Sequence, residues 1–201
     1  MFAFTRFRTW LSNKPLQQYL LGMAMFVGVQ NPLYAATPDH LGVEARHHLH
    51  LAYVQGEGDV QGIKLAVQRE SDLFTQYLQD YGIAGAVSFE MSANFWRFGP
   101  QNETDQNVVL AFSPVLTFSV GHLFGKEVLA EFGIGVSLLD DTTFAGKNVS
   151  THYQFEDRLG LIYRLSHEDS ITLRYLHYSN AGFKKPNPGL DFISLGYSRA
   201  F

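Results

Sequence analysis

Near the C-terminal end of the chain, His177, Ser179 and Asp191 supply the three residue types that make a hydroxyl nucleophilic. A serine attacks poorly until an imidazole takes its proton, and the imidazole needs a carboxylate to hold it in the productive tautomer. All three fall within ITLRYLHYSNAGFKKPNPGLDFISLGYSRAF, residues 171–201, on either side of a Gly/Pro/Asn turn. Spacing alone carries little weight. A histidine and a strand-end serine followed by a turn acid arise often without any chemistry between them.

The continuous run adds more: His177-Tyr178-Ser179-Asn180-Ala181-Gly182, then Lys185-Pro186-Asn187, then Gly189 with an acid two positions on. This resembles the C-terminal signature of the PagL family, the outer-membrane lipid A 3-O-deacylases. The resemblance implies that His177 is the catalytic histidine and Ser179 the nucleophile, with Asn180, Gly182 and Asn187 as the family's invariant surroundings. Asp191 stands where the family's best-studied members have Glu, so the acid is one methylene shorter. The oxyanion donor is left open among the side-chain amides of Asn180 and Asn187 and the Gly182 amide. The implied substrate is lipid A of the lipopolysaccharide leaflet, with no cofactor and no metal, and a homodimer stays open. Upstream of the last thirty or so residues the likeness is one of architecture.

That architecture reads from period-two patterning, which dominates the chain. Eight stretches alternate, at about 43–56, 59–70, 83–98, 106–120, 127–139, 150–165, 169–179 and 190 to the end. Each has one continuously apolar face: Leu49, Leu51 and Tyr53 in the first, Ile63, Leu65 and Val67 in the second, Ile134, Val136 and Leu138 in the fifth. An apolar face opposite a mixed one is the pattern of a strand with lipid outside and a polar lumen inside. The pattern predicts an all-β fold, an eight-stranded antiparallel transmembrane β-barrel of the bacterial outer membrane, over 36–201. Pro114 inside the fourth stretch predicts a bulge there. The segment 73–81 reads equally as a short helix or a long strand end.

Strand parity then places the chemistry. Ile171, Leu173, Tyr175, His177 and Ser179 share one face, and Asp191, Ile193, Leu195 and Tyr197 share another. Turning these faces inward would put Thr172, Arg174 and Ser194 into hydrocarbon at several kcal/mol each. The triad is therefore expected on the outside of the barrel. With an even strand count and both ends in the periplasm, the turn at 180–190 is extracellular, level with the ester-linked acyl chains of the outer leaflet. Lys184 and Lys185 read equally as phosphate contacts or as solvated loop charges.

Composition narrows the remaining classes. Residues 1–35 carry Arg6, Arg8 and Lys14, an apolar run from Tyr19 to Val29 and a small-residue end at Ala35, and so read as a signal peptide that is removed. The whole chain has net charge −4, and losing three basic residues makes the remainder more acidic, which excludes a basic nucleic-acid footprint. No cysteine is present, so stability must come without disulfides. His48 and His50 share a strand face, but two histidines at this spacing are half a zinc site, and they read with His47 as polar residues at the periplasmic end. Glu156, Glu168 and Asp169 lack the spacing to replace Asp191. Trp96, Tyr153, Tyr163 and Tyr197 read as girdle or core aromatics. The competing function is a non-enzymatic small barrel with a structural or adhesive role, carrying its recognition chemistry on long extracellular loops. A pore is disfavoured, because eight strands leave no aqueous channel.

Overall fold

The structure is a computed structural model that describes residues 47–99 and 105–201. The signal peptide expected over 1–35 lies outside the described residues. Eight long strands close into an antiparallel barrel: β1 (His47–Gly56), β2 (Gln61–Glu70), β3 (Ala86–Phe98), β4 (Asp105–Leu123), β5 (Lys126–Leu139), β8 (Tyr153–Arg164), β9 (Asp169–Ser179) and β10 (Leu190–Ala200). β1 pairs β10 from His48↔Ala200 to Gly56↔Phe192, so no edge is left unpaired. Two-residue strands β6 (Thr143–Phe144) and β7 (Lys147–Asn148) form a separate hairpin in the β5–β8 connection.

The outward face carries the residues that the alternation assigns to lipid, including Leu49, Leu65, Met91, Leu110, Ile134, Leu161, Leu173 and Leu195, all exposed. Alternate residues point into a lumen with two storeys. Toward the β9–β10 turn, Trp96 stacks on Phe192 at 4.3 Å and meets Tyr178 edge-on at 4.9 Å. Val54, Val109, Leu139 and Leu176 belong to the same apolar cluster. Trp96 is thus a core residue. Below it lie three cations and three carboxylates, all buried: Lys64, Arg158 and Arg174 with Glu90, Glu131 and Glu156. Arg174 forks onto Glu131 at 2.6 and 2.8 Å. Arg158 reaches Glu90 at 2.8 Å and Lys64 reaches Glu156 at 3.0 Å. Because a buried charge is tolerable only when paired, the six side chains form a balanced plug.

Two expectations change, and one open reading is resolved. Pro114 pairs Phe89 with no slip in register, and the one register shift between β4 and β5 lies between Ser119 and Gly121, where Gly121 has φ 143°. His50 is not a residue of the barrel mouth: it is fully buried in the lumen, with Nδ1 2.6 Å from Ser198 Oγ and Nε2 2.9 Å from Arg174 Nη1. The ambiguous segment is an α-helix, α1 (Asp72–Asp80). It follows Glu70 of β2 and precedes β3, at the same barrel mouth as the C-terminal end, where the Phe201 amide donates to His47 O at 2.9 Å. The 71–82 connection therefore does not belong with the loops at the other mouth.

Candidate active site

Antiparallel register, which period-two patterning leaves open, brings the candidate residues together. His177 lies directly opposite Asp191 across β9–β10, while Asp157 and Phe155 of β8 lie opposite His177 and Ser179 on the other side. Residues opposite each other share a face, so all five project away from the lumen, and the three candidate residues lie on the lipid-facing side as parity requires.

His177 Nδ1 is 2.7 Å from Asp191 Oδ1. The same carboxylate oxygen accepts the Tyr175 hydroxyl at 2.5 Å. With Nδ1–H committed to the carboxylate, the tautomer is fixed and Nε2 becomes the basic nitrogen. That Nε2 is buried and has no hydrogen-bond partner among the described residues. Ser179, 5% exposed, is two residues further along the same face. No hydrogen bond joins Ser179 to His177, whose Nδ1 is held by Asp191 and whose Nε2 is unpartnered. Glu156 points into the lumen, and Glu168 and Asp169 lie at the opposite mouth, so none of them substitutes for Asp191.

The 180–189 loop is built around Asn180, whose side chain is fully engaged. Its Nδ2 donates to Val149 O and Lys184 O, each at 3.0 Å, and its Oδ1 accepts the Gly182 amide at 2.9 Å. The Asn180 amide in turn donates to Asn187 Oδ1 at 3.2 Å. This leaves the Asn187 Nδ2 group as the one of the three candidate donors with no acceptor among the described residues. Gly189 closes the loop onto the imidazole with φ 72°, and a Cβ there would sit 2.6 Å from His177 Cε1. Glycine is required on both counts: the left-handed backbone and the contact. The 140–152 connection braces the loop from the side through Ser150 Oγ, which donates to Pro186 O at 2.6 Å.

Sequence assigned no role to three residues that stand against the site: Tyr175, Asp157 and Gly189. Tyr175 and Gly189 were visible, one on the triad's face and one in the motif. Only the fold shows that one touches the acid and the other the ring. Among the described residues no group of three or more His, Cys, Asp or Glu side chains is arranged to hold a metal.

Comparison with known proteins decides the family. Residues 61–200 match the family described as Lipid A 3-O-deacylase (PagL). The chain belongs to the PagL family. Its PagL-family relatives include the lipid A deacylase PagL of Bordetella bronchiseptica, 44% identical over 77 residues, which are 38% of this chain and 43% of that protein. The lipid A deacylase PagL of Pseudomonas aeruginosa is 33% identical over 103 residues, 51% of this chain and 58% of that protein. The aligned segments thus span about half the length of these curated relatives. A crystal structure of the outer membrane enzyme PagL superposes with TM-score 0.63 at 25% identity, covering 76% of this chain and 98% of that one. A designed transmembrane β-barrel shares the fold alone, at TM-score 0.50 and 8% identity over 80% of this chain and 98% of the other. This PagL-family chain is accordingly a barrel of the bacterial outer membrane.

Proposed function

We propose that the chain is an outer-membrane carboxylic ester hydrolase that removes the 3-O-linked acyl chain of lipid A, using Ser179, His177 and Asp191. The observation that carries this reading is the His177–Asp191 pair on the lipid-facing surface, 2.7 Å apart, with a buried, unpartnered Nε2 beside a serine on the same strand face. Charged and polar groups on such a surface are costly unless they serve one another or a substrate.

Ser179 Oγ attacks the ester carbonyl while His177 Nε2 takes its proton. The tetrahedral oxyanion is met by Asn187 Nδ2, whose partner atom Oδ1 is already held by the Asn180 amide. One such donor is worth a factor of roughly 10² to 10³ in rate. Collapse breaks the bond to the sugar oxygen, which leaves with the proton from His177. Water then attacks the acyl-serine with the same imidazole as base, and the fatty acid is released. Phe155 and Phe183, with rings 6.3 Å apart, flank this position and suit an acyl chain, while Lys184 and Lys185 suit the phosphates of the glucosamine headgroup.

Mass spectra of lipid A from cells producing the protein should show loss of one 3-hydroxyacyl group. Ser179→Ala should abolish that loss while the barrel stays folded. An unchanged lipid A spectrum from the wild type, with folding confirmed by heat-modifiable gel mobility, would remove this reading.

A further inference from the structure

The helix α1 has no role in the site, and none of its residues is buried. Its residues, with the C-cap Tyr81, divide by helical angle. Leu73, Phe74, Tyr77, Leu78 and Tyr81 fall on one arc, and Asp72, Gln76, Gln79 and Asp80 on the opposite one. Leu73, Phe74, Tyr77 and Tyr81 are all exposed. A protein standing free in water has no reason to present such a stripe.

The helix is fixed to the barrel wall by two hydrogen bonds, one between backbones and one to a side chain. The Ser71 amide donates to Val87 O at 2.8 Å, and the Val87 amide donates to Thr75 Oγ1 at 2.9 Å. Thus held, Phe74 meets Phe89 edge-on at 5.6 Å, and Phe89 stacks on Phe112 at 5.8 Å with the rings 6° from parallel. Phe89 and Phe112 belong to the outward, lipid-facing side of β3 and β4. The apolar arc of the helix is therefore a direct continuation of the lipid belt at the barrel mouth remote from Ser179. Tyr77 and Tyr81 pack 4.9 Å apart at its outer end, and such amphipathic rings favour the boundary between headgroups and acyl chains.

We propose that α1 lies in the plane of the phospholipid leaflet at that mouth, with its apolar arc on the acyl chains and its polar arc on the headgroups. The occupant is a phospholipid surface rather than a protein, because the arc is continuous with a surface already solvated by lipid. The helix has Asp72 in its first turn and no basic residue in its last. Attraction to anionic headgroups is therefore not what holds it, and burial of apolar area is.

The chain has no cysteine, so a single introduced thiol can be labelled uniquely. Leu73→Cys and Tyr77→Cys on the arc, and Gln76→Cys and Gln79→Cys opposite, would each be tagged with an environment-sensitive fluorophore. The barrel is then reconstituted in phosphatidylcholine vesicles carrying 5-doxyl or 12-doxyl chains. Labels at 73 and 77 should be quenched several-fold more than those at 76 and 79, and more by the shallow quencher than by the deep one. Equal quenching at all four positions would overturn the proposal. So would labels at 73 and 77 that iodide reaches from water, or that neither iodide nor doxyl lipid reaches, the last being the signature of a protein contact.

Discussion

Asp191 Oδ1 serves two donors, the imidazole at 2.7 Å and the Tyr175 hydroxyl at 2.5 Å, and the division of labour between them is testable. An amide in place of the carboxylate presents an N–H to His177 Nδ1 and favours the tautomer whose Nε2 carries the proton. Asp191→Asn should therefore lower kcat by a factor approaching roughly 10⁴, the scale of the same change in soluble triads. Tyr175→Phe removes a hydrogen bond to a charged group, worth about 1.5–3 kcal/mol, and leaves the His177–Asp191 pair in place. Its kcat should fall by about tenfold to a hundredfold, with KM little changed, since the phenol touches the acid rather than the substrate. Time courses of 3-hydroxy fatty acid release from purified lipid A would measure both. A Tyr175→Phe enzyme as fast as wild type would show that the acid needs no second donor. The shorter reach of aspartate is the physical reason to expect one.

At the scale of strands and loops, the charged storey of the lumen ties β8 and β9 across the barrel to β2, β3 and β5 beneath the site. Arg174 forks onto Glu131 and also meets Glu90 at 3.3 Å. Arg174→Leu leaves two buried carboxylates short of a partner and should cost about 3–5 kcal/mol, whereas Arg174→Leu with Glu131→Leu should recover much of the loss. Urea midpoints of the two variants in detergent micelles would separate them, and a double variant no better than the single would count against the ion pair as the cause. Much of this scale was legible beforehand. Alternation alone set Lys64, Glu90 and Arg174 inward and Leu65, Met91 and Leu173 outward, because lipid and lumen impose opposite demands on neighbouring residues. What stayed hidden was pairing across strands, which depends on register: Asp157 opposite His177, Tyr175 against Asp191, and His50 carried into the lumen to meet Ser198 and Arg174. Pro114 misled because a proline can occupy a ladder position without shifting its neighbours, and the slip fell instead beside Gly121, where φ of 143° suits glycine. The helix α1 was ambiguous because its nine residues make too short a window to separate the two periodicities.

For the molecule as a whole, closing the barrel with His177, Ser179 and Asp191 on the outer wall sets how a substrate of the proposed reaction arrives. The lumen offers no path, since its upper storey is filled by Trp96, Tyr178 and Phe192 and its lower by paired charges. On the proposed reading, an acyl ester reaches Ser179 by lateral diffusion within the bilayer, with its chain already dissolved among the lipids that wet Leu173, Ile193 and Leu195. The rate should then follow the substrate's fraction in the membrane, not its amount per volume of buffer. In proteoliposomes below saturation, diluting lipid A with inert phospholipid at constant bulk lipid A should slow deacylation in proportion to the dilution. Adding buffer to the same vesicles should leave the rate per vesicle unchanged. A rate that tracked bulk concentration would mean that the ester enters from water, and the lipid-facing placement of His177, Ser179 and Asp191 would then have no part in substrate capture.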